Sequence, residues 1–197
     1  MAEAGAVIVA HDNVRARMSV PQMMAFFERA VPASPPAALP VVTFNDSASF
    51  HMNGDDIRAI HVARAHTDGD VIVHFRKANV LHVGDTFFNG MYPFIDLDSG
   101  GSIAGLLAAV DTMLALADAD TRIIPGHGPV CSRGDLESYR KMLVETTTLV
   151  RTLRAEGKTV DEIVAAAPNA DFDATWATGF INGERYARML YGLMERE

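Results

Sequence analysis

The chain has 197 residues, enough for one ordinary domain and too few for a second independent core. Hydrophobic residues make up 49% and charged residues 21%, which is typical of globular proteins and argues against a disordered chain. The formal charge is -8, and the 17 Lys and Arg residues form no basic cluster, so a nucleic-acid partner is excluded.

Cysteine content and hydropathy limit the kinds of metal site and membrane segment that the chain can have. Cys131 is the single cysteine, which excludes an internal disulfide and a cysteine-rich zinc site. No apolar run approaches the roughly 20 residues that cross a membrane, so we expect no membrane partner. The first residues lack the basic flank and long apolar core of a secretory signal. The location is therefore open: cytoplasmic as the sequence is written, periplasmic if a further N-terminal segment precedes it.

The first predicted elements are a strand, a helix and a connector. Residues 5–10 (GAVIVA) form an apolar run with β-branched residues, which predicts a buried strand ending at His11. A helix is expected next, because Ser19 opens an S-x-x-Q capping box and the Met and Phe residues of segment 23–27 supply an apolar side. The proline-rich segment 31–40 predicts an irregular connector.

A meander of strands is predicted for residues 41–83. The runs VVTF, ASFHM, DIRAIHV, VIVHF and NVLHV are separated mostly by turn-forming clusters. If the last hairpin turns at Lys77 and Ala78, then residues 74 and 81 face each other. His74 and His82 then lie on opposite faces of the sheet and are not a ligand pair.

Helices dominate the remainder of the chain. Residues 100–118 predict a helix with Ser102 at its N-terminus, followed by a strand at 122–124. The further predicted helices are 135–156, 161–167 behind a T-x-x-E box, and 184–195. Strands followed by helices, without an internal repeat, predict an α/β (α+β layered) fold with helices packed on a sheet.

Three polar residues stand out because each lies near the end of a predicted strand. His66, Asp85 and His127 occur in the strings RAHTDGD, HVGDTFFNG and PGHGPV, whose glycines allow tight turns. Imidazole and carboxylate groups are the ligands that zinc accepts in hydrolytic sites. Taken singly, His66 is better explained as an exposed turn residue, and Asp85 is equally compatible with a turn or helix-capping residue. Their separations match no local zinc motif, so only tertiary folding can unite them.

The ordered series HTDGD, GDT and PGHG resembles the later motifs of the metallo-β-lactamase superfamily. The likeness covers nearly the whole chain, since VIVAHDNVR, PPAALPVVTF and GMYPFID have counterparts in the branch described as MBL-fold metallo-hydrolases. This resemblance implies the C-terminal portion of an αββα sandwich, as a single partial domain over residues 1–197. It also implies a hydrolase with a small-molecule substrate, in which zinc activates the water that attacks an ester, amide or lactam, thioester or related bond.

The same resemblance assigns the metal ligands. In the family, an H-x-H-x-D-H motif is followed by a histidine, an aspartate and a last histidine, which correspond to His66, Asp85 and His127. His66 would complete one zinc site, His127 would complete the other, and Asp85 would bridge the two metals. The aromatic residues that follow within segment 87–92 could line a substrate pocket, but such clusters are more often core.

The opening H-x-H-x-D-H motif is absent from the sequence. In the family it precedes a region like residues 5–14, so we expect the missing ligands before Met1. Two hypotheses follow: a truncated zinc hydrolase that is weakly active or inactive as given, or a non-catalytic remnant that pairs with another chain. An exposed sheet edge would allow the second, including a homodimer. A reading frame for H-x-H-x-D-H directly upstream would favour the first.

Overall fold

Strands dominate the first half of the chain and helices the second half in the computed structural model, which describes residues 4–195. The strands are β1 (Val9–His11), β2 (Gln22–Met24), β3 (Arg29–Val31), β4 (Val42–Phe44), β5 (Ser47–Met52), β6 (Asp55–His61), β7 (Val71–Phe75), β8 (Val80–Phe88) and β9 (Arg122–His127). The helices are α1 (Asp12–Met18), α2 (Ile103–Leu116), α3 (Arg133–Ala155), α4 (Val160–Ala165), α5 (Ala170–Trp176) and α6 (Gly183–Glu195).

A five-stranded sheet in the order β5-β6-β7-β8-β9 forms the centre of the fold. Strands β5 to β8 make the expected antiparallel meander, and β9 pairs with β8 in parallel after the chain crosses over through α2. The last hairpin pairs Val73 with His82 and His74 with Leu81, which is the predicted register. His74 and His82 therefore lie on opposite faces of the sheet.

The hydrophobic core lies between this sheet and the helices. Leu81 of β8 and Ile123 of β9 are buried, and so are Leu106 and Val110 on one side of α2. Helix α2 begins at Ser102 as predicted, because the Ser102 hydroxyl accepts the Gly105 N–H at 3.0 Å. Helix α3 packs on α2, and α6 packs on α3 and α4. The α/β layered fold class is confirmed.

The helix predicted after Ser19 is wrong, because the helix lies earlier in the chain. His11 caps α1 by accepting the Asn13 N–H on its ring nitrogen at 3.2 Å. Ser19 ends this helix, and its hydroxyl donates to the Arg15 carbonyl at 2.7 Å. The S-x-x-Q string is therefore at a helix C-terminus and not at an N-terminus.

A β-hairpin takes the place of the expected helix. Strands β2 and β3 pair in an antiparallel manner and are joined through a 3₁₀ turn at Ala25–Phe27. Met23, Phe26 and Phe27 are exposed, so the apolar residues of this segment do not form a core-facing helical stripe. The segment that follows is irregular, as predicted, apart from the end of β3 and a 3₁₀ turn at Pro36–Ala38.

Two further elements differ from the predictions. The first strand is shorter and later than the expected segment 5–10, and it pairs in parallel with β4 to form a separate two-stranded sheet. The strand predicted at the start of the meander therefore belongs to another sheet. Helix α5 is not predicted by the sequence pattern, although its last residue, Trp176, is buried in the core. Within residues 4–195, no helix is both long and apolar enough to span a membrane.

His11 joins the small sheet to the main one. Its ring is buried and stacks on the His61 ring at the end of β6, with centroids 3.7 Å apart. Burial lowers the pKa of His11 from its usual 6.5, and the neighbouring charge of His61 lowers it further. Because the unfolded chain then takes up a proton at a higher pH than the folded chain, stability should fall as the pH drops below about 6.5.

We predict a lower urea midpoint at about pH 5 than at about pH 7.5, measured by circular dichroism. The His11→Asn variant should lose part of this pH dependence, because asparagine can still cap α1 but carries no titrating ring. His82→Asn, at an exposed position of β8, is the matched control. An unchanged pH dependence in His11→Asn would contradict the role given to this stack.

Candidate metal centre

The fold brings His66, Asp85 and His127 to the same end of the five-stranded sheet. His66 lies in the loop after β6, Asp85 lies within β8, and His127 is the last residue of β9. Strands β6, β8 and β9 run in the same direction, since β7 is antiparallel to both β6 and β8 and β9 is parallel to β8. Asp85 differs from the prediction in lying inside its strand, which continues to Phe88.

Asp85 lies between the two histidines. Its Oδ1 is 3.5 Å from His127 Nε2, and its Oδ2 is 4.0 Å from His66 Nε2. Each oxygen of the carboxylate therefore faces a different imidazole. Tertiary folding thus brings together the three residues singled out in the sequence, as membership of one metal centre requires.

A further aspartate, Asp70, orients His66. The His66 Nδ1 lies 3.5 Å from Asp70 Oδ1, and Asp70 in turn accepts the Thr67 N–H at 2.7 Å and the Thr67 hydroxyl at 2.9 Å. The His66 Nδ1 thus faces a carboxylate while Nε2 faces Asp85. Carboxylates behind metal-ligating histidines fix the ring in this way.

The surroundings of His66 favour a positive charge. Its side chain is only 17% exposed, and this burial alone would lower the pKa of the imidazole. The hydrogen bond and negative charge of Asp70, with the charges of two further aspartates, outweigh burial and raise the pKa. The surrounding carboxylates therefore favour the proton on the His66 imidazole, which a metal would have to displace in order to bind there.

Two glycines allow the carboxylate of Asp85 to reach its position. A Cβ atom at Gly126 of β9 would overlap Asp85 Oδ1 and the backbone of Gly84. Gly84 has a φ of +52°, a left-handed conformation that favours glycine, and the register between β8 and β9 shifts on both sides of it. The two strands thus approach each other closely at the position of the candidate ligand.

His127 is held more loosely than His66. Its side chain is 49% exposed, and its ring stacks on Phe88 with centroids 4.6 Å apart. Its carbonyl accepts the Asn89 N–H at 2.9 Å. Phe88 and Asn89 therefore support His127 at the end of β9. Phe87, Phe88 and Tyr92 are all buried in the core, as such clusters more often are.

The donor chemistry fits a metal, but the number of donors does not. Two ligands of one tetrahedral ion with bonds of about 2.1 Å are roughly 3.4 Å apart, close to the 3.5 Å between Asp85 and His127 and shorter than the 4.0 Å between Asp85 and His66. Each of these contacts joins only two donors, whereas a catalytic zinc site uses three protein ligands. Among residues 4–195, no group of three or more His, Cys, Asp or Glu is arranged to hold one ion.

The sequence itself shows the family. A sequence profile of the metallo-beta-lactamase superfamily matches residues 2–127, which is more than half of the chain. The chain therefore belongs to the metallo-β-lactamase superfamily. No curated protein sequence matches it significantly.

Solved structures of this fold resemble the chain. The B3 metallo-beta-lactamase BLEG-1 is 22% identical with a TM-score of 0.59, over 71% of this chain and 66% of that one. TTHA1623, solved in a di-iron-bound form, is 25% identical with a TM-score of 0.52, over 69% and 64%. The sec-alkylsulfatase Pisa1 from Pseudomonas sp. is 15% identical with a TM-score of 0.63, over 96% and 37%. The chain thus spans less than two thirds of the length of these proteins, and the likeness shows the shared fold.

We predict that Gly126→Ala lowers the free energy of unfolding by about 1–3 kcal/mol, because the added methyl group must displace the Asp85 carboxylate or the β8 backbone. Urea denaturation measures the change. Gly192→Ala is the matched control: a Cβ there meets no atom within 4 Å, and alanine in helix α6 should raise stability by up to about 1 kcal/mol. Equal effects of the two substitutions would contradict the tight contact at Gly126.

Proposed function

We propose that this chain supplies part of the ligand set of a dinuclear metallohydrolase centre. In this proposal His66 binds one metal, His127 binds the other, and Asp85 bridges them. The observation that carries it is the position of Asp85, whose two carboxylate oxygens face different histidines at 3.5 and 4.0 Å. Membership of the metallo-β-lactamase superfamily supports the assignment, because the part of the chain that matches the family, residues 2–127, contains all three residues.

Zinc is the metal that we propose, and iron is the alternative. Imidazole and carboxylate ligands suit zinc, and they also suit iron. The di-iron-bound form of TTHA1623 supports the capacity of this fold for two metals and leaves iron open for this chain. Metal analysis of the purified protein decides between the two.

The remaining ligands must come from elsewhere than the described residues. Each proposed ion position has two donors where a catalytic zinc site has three. We expect the others to be supplied by a segment with the H-x-H-x-D-H motif, in the same polypeptide or in another chain. The reaction proposed is hydrolysis of an ester, lactam, thioester or related bond, and the fold alone does not select among them.

Residues 1–197 alone should bind zinc weakly and hydrolyse nitrocefin or p-nitrophenyl acetate little or not at all, because each ion lacks ligands. Calorimetric titration with zinc and spectrophotometric assays measure both properties. Asp85→Asn should weaken the residual zinc binding at least about tenfold, as the loss of even an outer partner can do. Asp111→Asn, whose native carboxylate pairs with Arg140 on the surface, should leave zinc binding unchanged.

Two results would contradict these expectations. Stoichiometric binding of two zinc ions with substantial turnover by this chain alone would show that the ligand set is complete. Zinc binding that does not depend on Asp85 would overturn the ligand assignment. His66→Ala and His127→Ala then locate the ion that is bound.

A second proposed function, association with another copy of the chain, depends on the small sheet of β1 and β4. This sheet has only two strands, and within residues 4–195 no further strand pairs with it. Val41 and Val42 beside its edge are exposed. A sheet edge without a strand beside it, next to exposed valines, favours addition of a strand from a partner, so we propose a homodimer through this edge.

We predict a concentration-dependent dimer in size-exclusion chromatography with light scattering. Val42→Lys should shift the protein toward monomer, because a lysine on an edge strand opposes strand pairing. Val144→Lys, at an exposed position of α3, is the control for added charge. A monomer at every concentration tested would rule out this association.

A further inference from the structure

An apolar cleft of about 720 Å³ lies beside the candidate metal centre. It is formed by the β2–β3 hairpin, the loop after β8, the segment before α6 and the exposed side of α6 itself. Its apolar lining includes Phe26, Phe27, Phe94, Phe180 and Met189. A volume of this size is typical of small-molecule sites.

Four phenylalanines form a continuous wall of this cleft. Ring centroids of Phe26 and Phe94 are 4.7 Å apart, those of Phe27 and Phe94 are 5.6 Å apart, and those of Phe27 and Phe180 are 6.4 Å apart. Phe94 is buried, but Phe26, Phe27 and Phe180 remain 44%, 48% and 45% exposed. Large aromatic groups exposed side by side indicate a binding surface more often than isolated ones do.

One lining residue of the cleft, Phe94, also contacts a candidate metal ligand. The Phe94 ring meets the His66 ring edge-on, with centroids 6.0 Å apart. The same loop is tied to His66 through its backbone, since the Asp96 N–H donates to the His66 carbonyl at 2.9 Å. A molecule with its reactive group near His66 would therefore pass Phe94 to reach the other three rings of the wall.

Charge does not select the occupant of the cleft, because both signs line it. Asp96 and Asp98 contribute carboxylates, and Arg185 and Arg188 contribute guanidinium groups. Arg188 is paired with two carboxylates of its own, one of them Glu184 at 3.1 Å. The apolar wall is thus the feature that distinguishes this cleft from the surrounding surface.

We infer that the phenylalanine wall binds the apolar acyl, alkyl or aryl part of a substrate whose hydrolysable group lies at His66, Asp85 and His127. The substrate class is an ester or related compound with a medium-length hydrocarbon portion. This inference rests on the proposed hydrolase function for the reacting group. Affinity for the hydrocarbon portion comes from burial against the rings and needs no metal.

The test is calorimetric binding of hexanoate, octanoate and decanoate to the purified chain in EDTA, so that no metal contributes. The dissociation constant should fall about fourfold for each methylene group that enters the cleft. The double variant Phe27→Ser with Phe180→Ser should weaken decanoate binding roughly tenfold or more, because both rings lose contact with the chain. Both native rings are about half exposed, and the urea midpoint of the variant verifies its folding.

Leu149→Ser is the matched control, because Leu149 is exposed on α3 and does not line the cleft. Binding that is independent of chain length, or weakened equally by Leu149→Ser, would overturn the inference. The inference would also be wrong if the rings serve only to hold the hairpin in place. The double variant would then have a lower urea midpoint but would bind decanoate as tightly as the native chain.

The two proposals fail separately. If fatty-acid binding depends on chain length but zinc binding does not depend on Asp85, the cleft assignment is supported and the metal-centre proposal is contradicted. If zinc binding depends on Asp85 but decanoate does not bind, the metal-centre proposal is supported and the cleft assignment is contradicted.

Discussion

The close approach of β8 and β9 at Gly84 and Gly126 is the constraint on which the site depends. Strand β8 carries Asp85 and β9 ends at His127, and their parallel pairing places both side chains at one end of the sheet. A side chain at position 126 would take the space of the Asp85 carboxylate. The same pair of strands buries Leu81 and Ile123 in the core, so core packing and site geometry are set together.

Local patterns predicted those parts of the fold whose stabilising contacts are local. The meander follows from strand-like runs separated by turn-forming clusters. Helix α4 follows from the capping box, in which the Thr159 and Glu162 side chains each accept a backbone N–H of the other residue. The helix predicted after Ser19 was wrong because its capping string and apolar residues also fit a helix C-terminus followed by a hairpin, and histidine is not among the residues that usually mark a helix start. His11 caps that helix while its ring stacks on His61. No window of sequence around Ser19 contains that information.

The candidate ligands were found through the order of their motifs and not through spacing, because only the strand order unites them. Their supporting residues could not be found in this way. The string HTDGD contains two aspartates with different roles: Asp68 pairs with Arg17 at 2.6 Å, and Asp70 faces His66. The place of Phe94 in the phenylalanine wall could not be predicted either. It depends on contacts with Phe26 and Phe27, which lie in a hairpin that the sequence pattern predicts as a helix.

His66 connects every part of the proposed site, and His127 does not. The imidazole of His66 faces Asp70 through one nitrogen and Asp85 through the other, and its edge meets Phe94 at the start of the cleft. His127 is exposed and is positioned chiefly by its stack on Phe88. A ligand whose orientation is already fixed loses less freedom on binding than one that is loosely held. In the proposed centre, His66 is therefore the more strongly preorganised of the two histidines, and it is also the one that contacts the apolar wall, through Phe94.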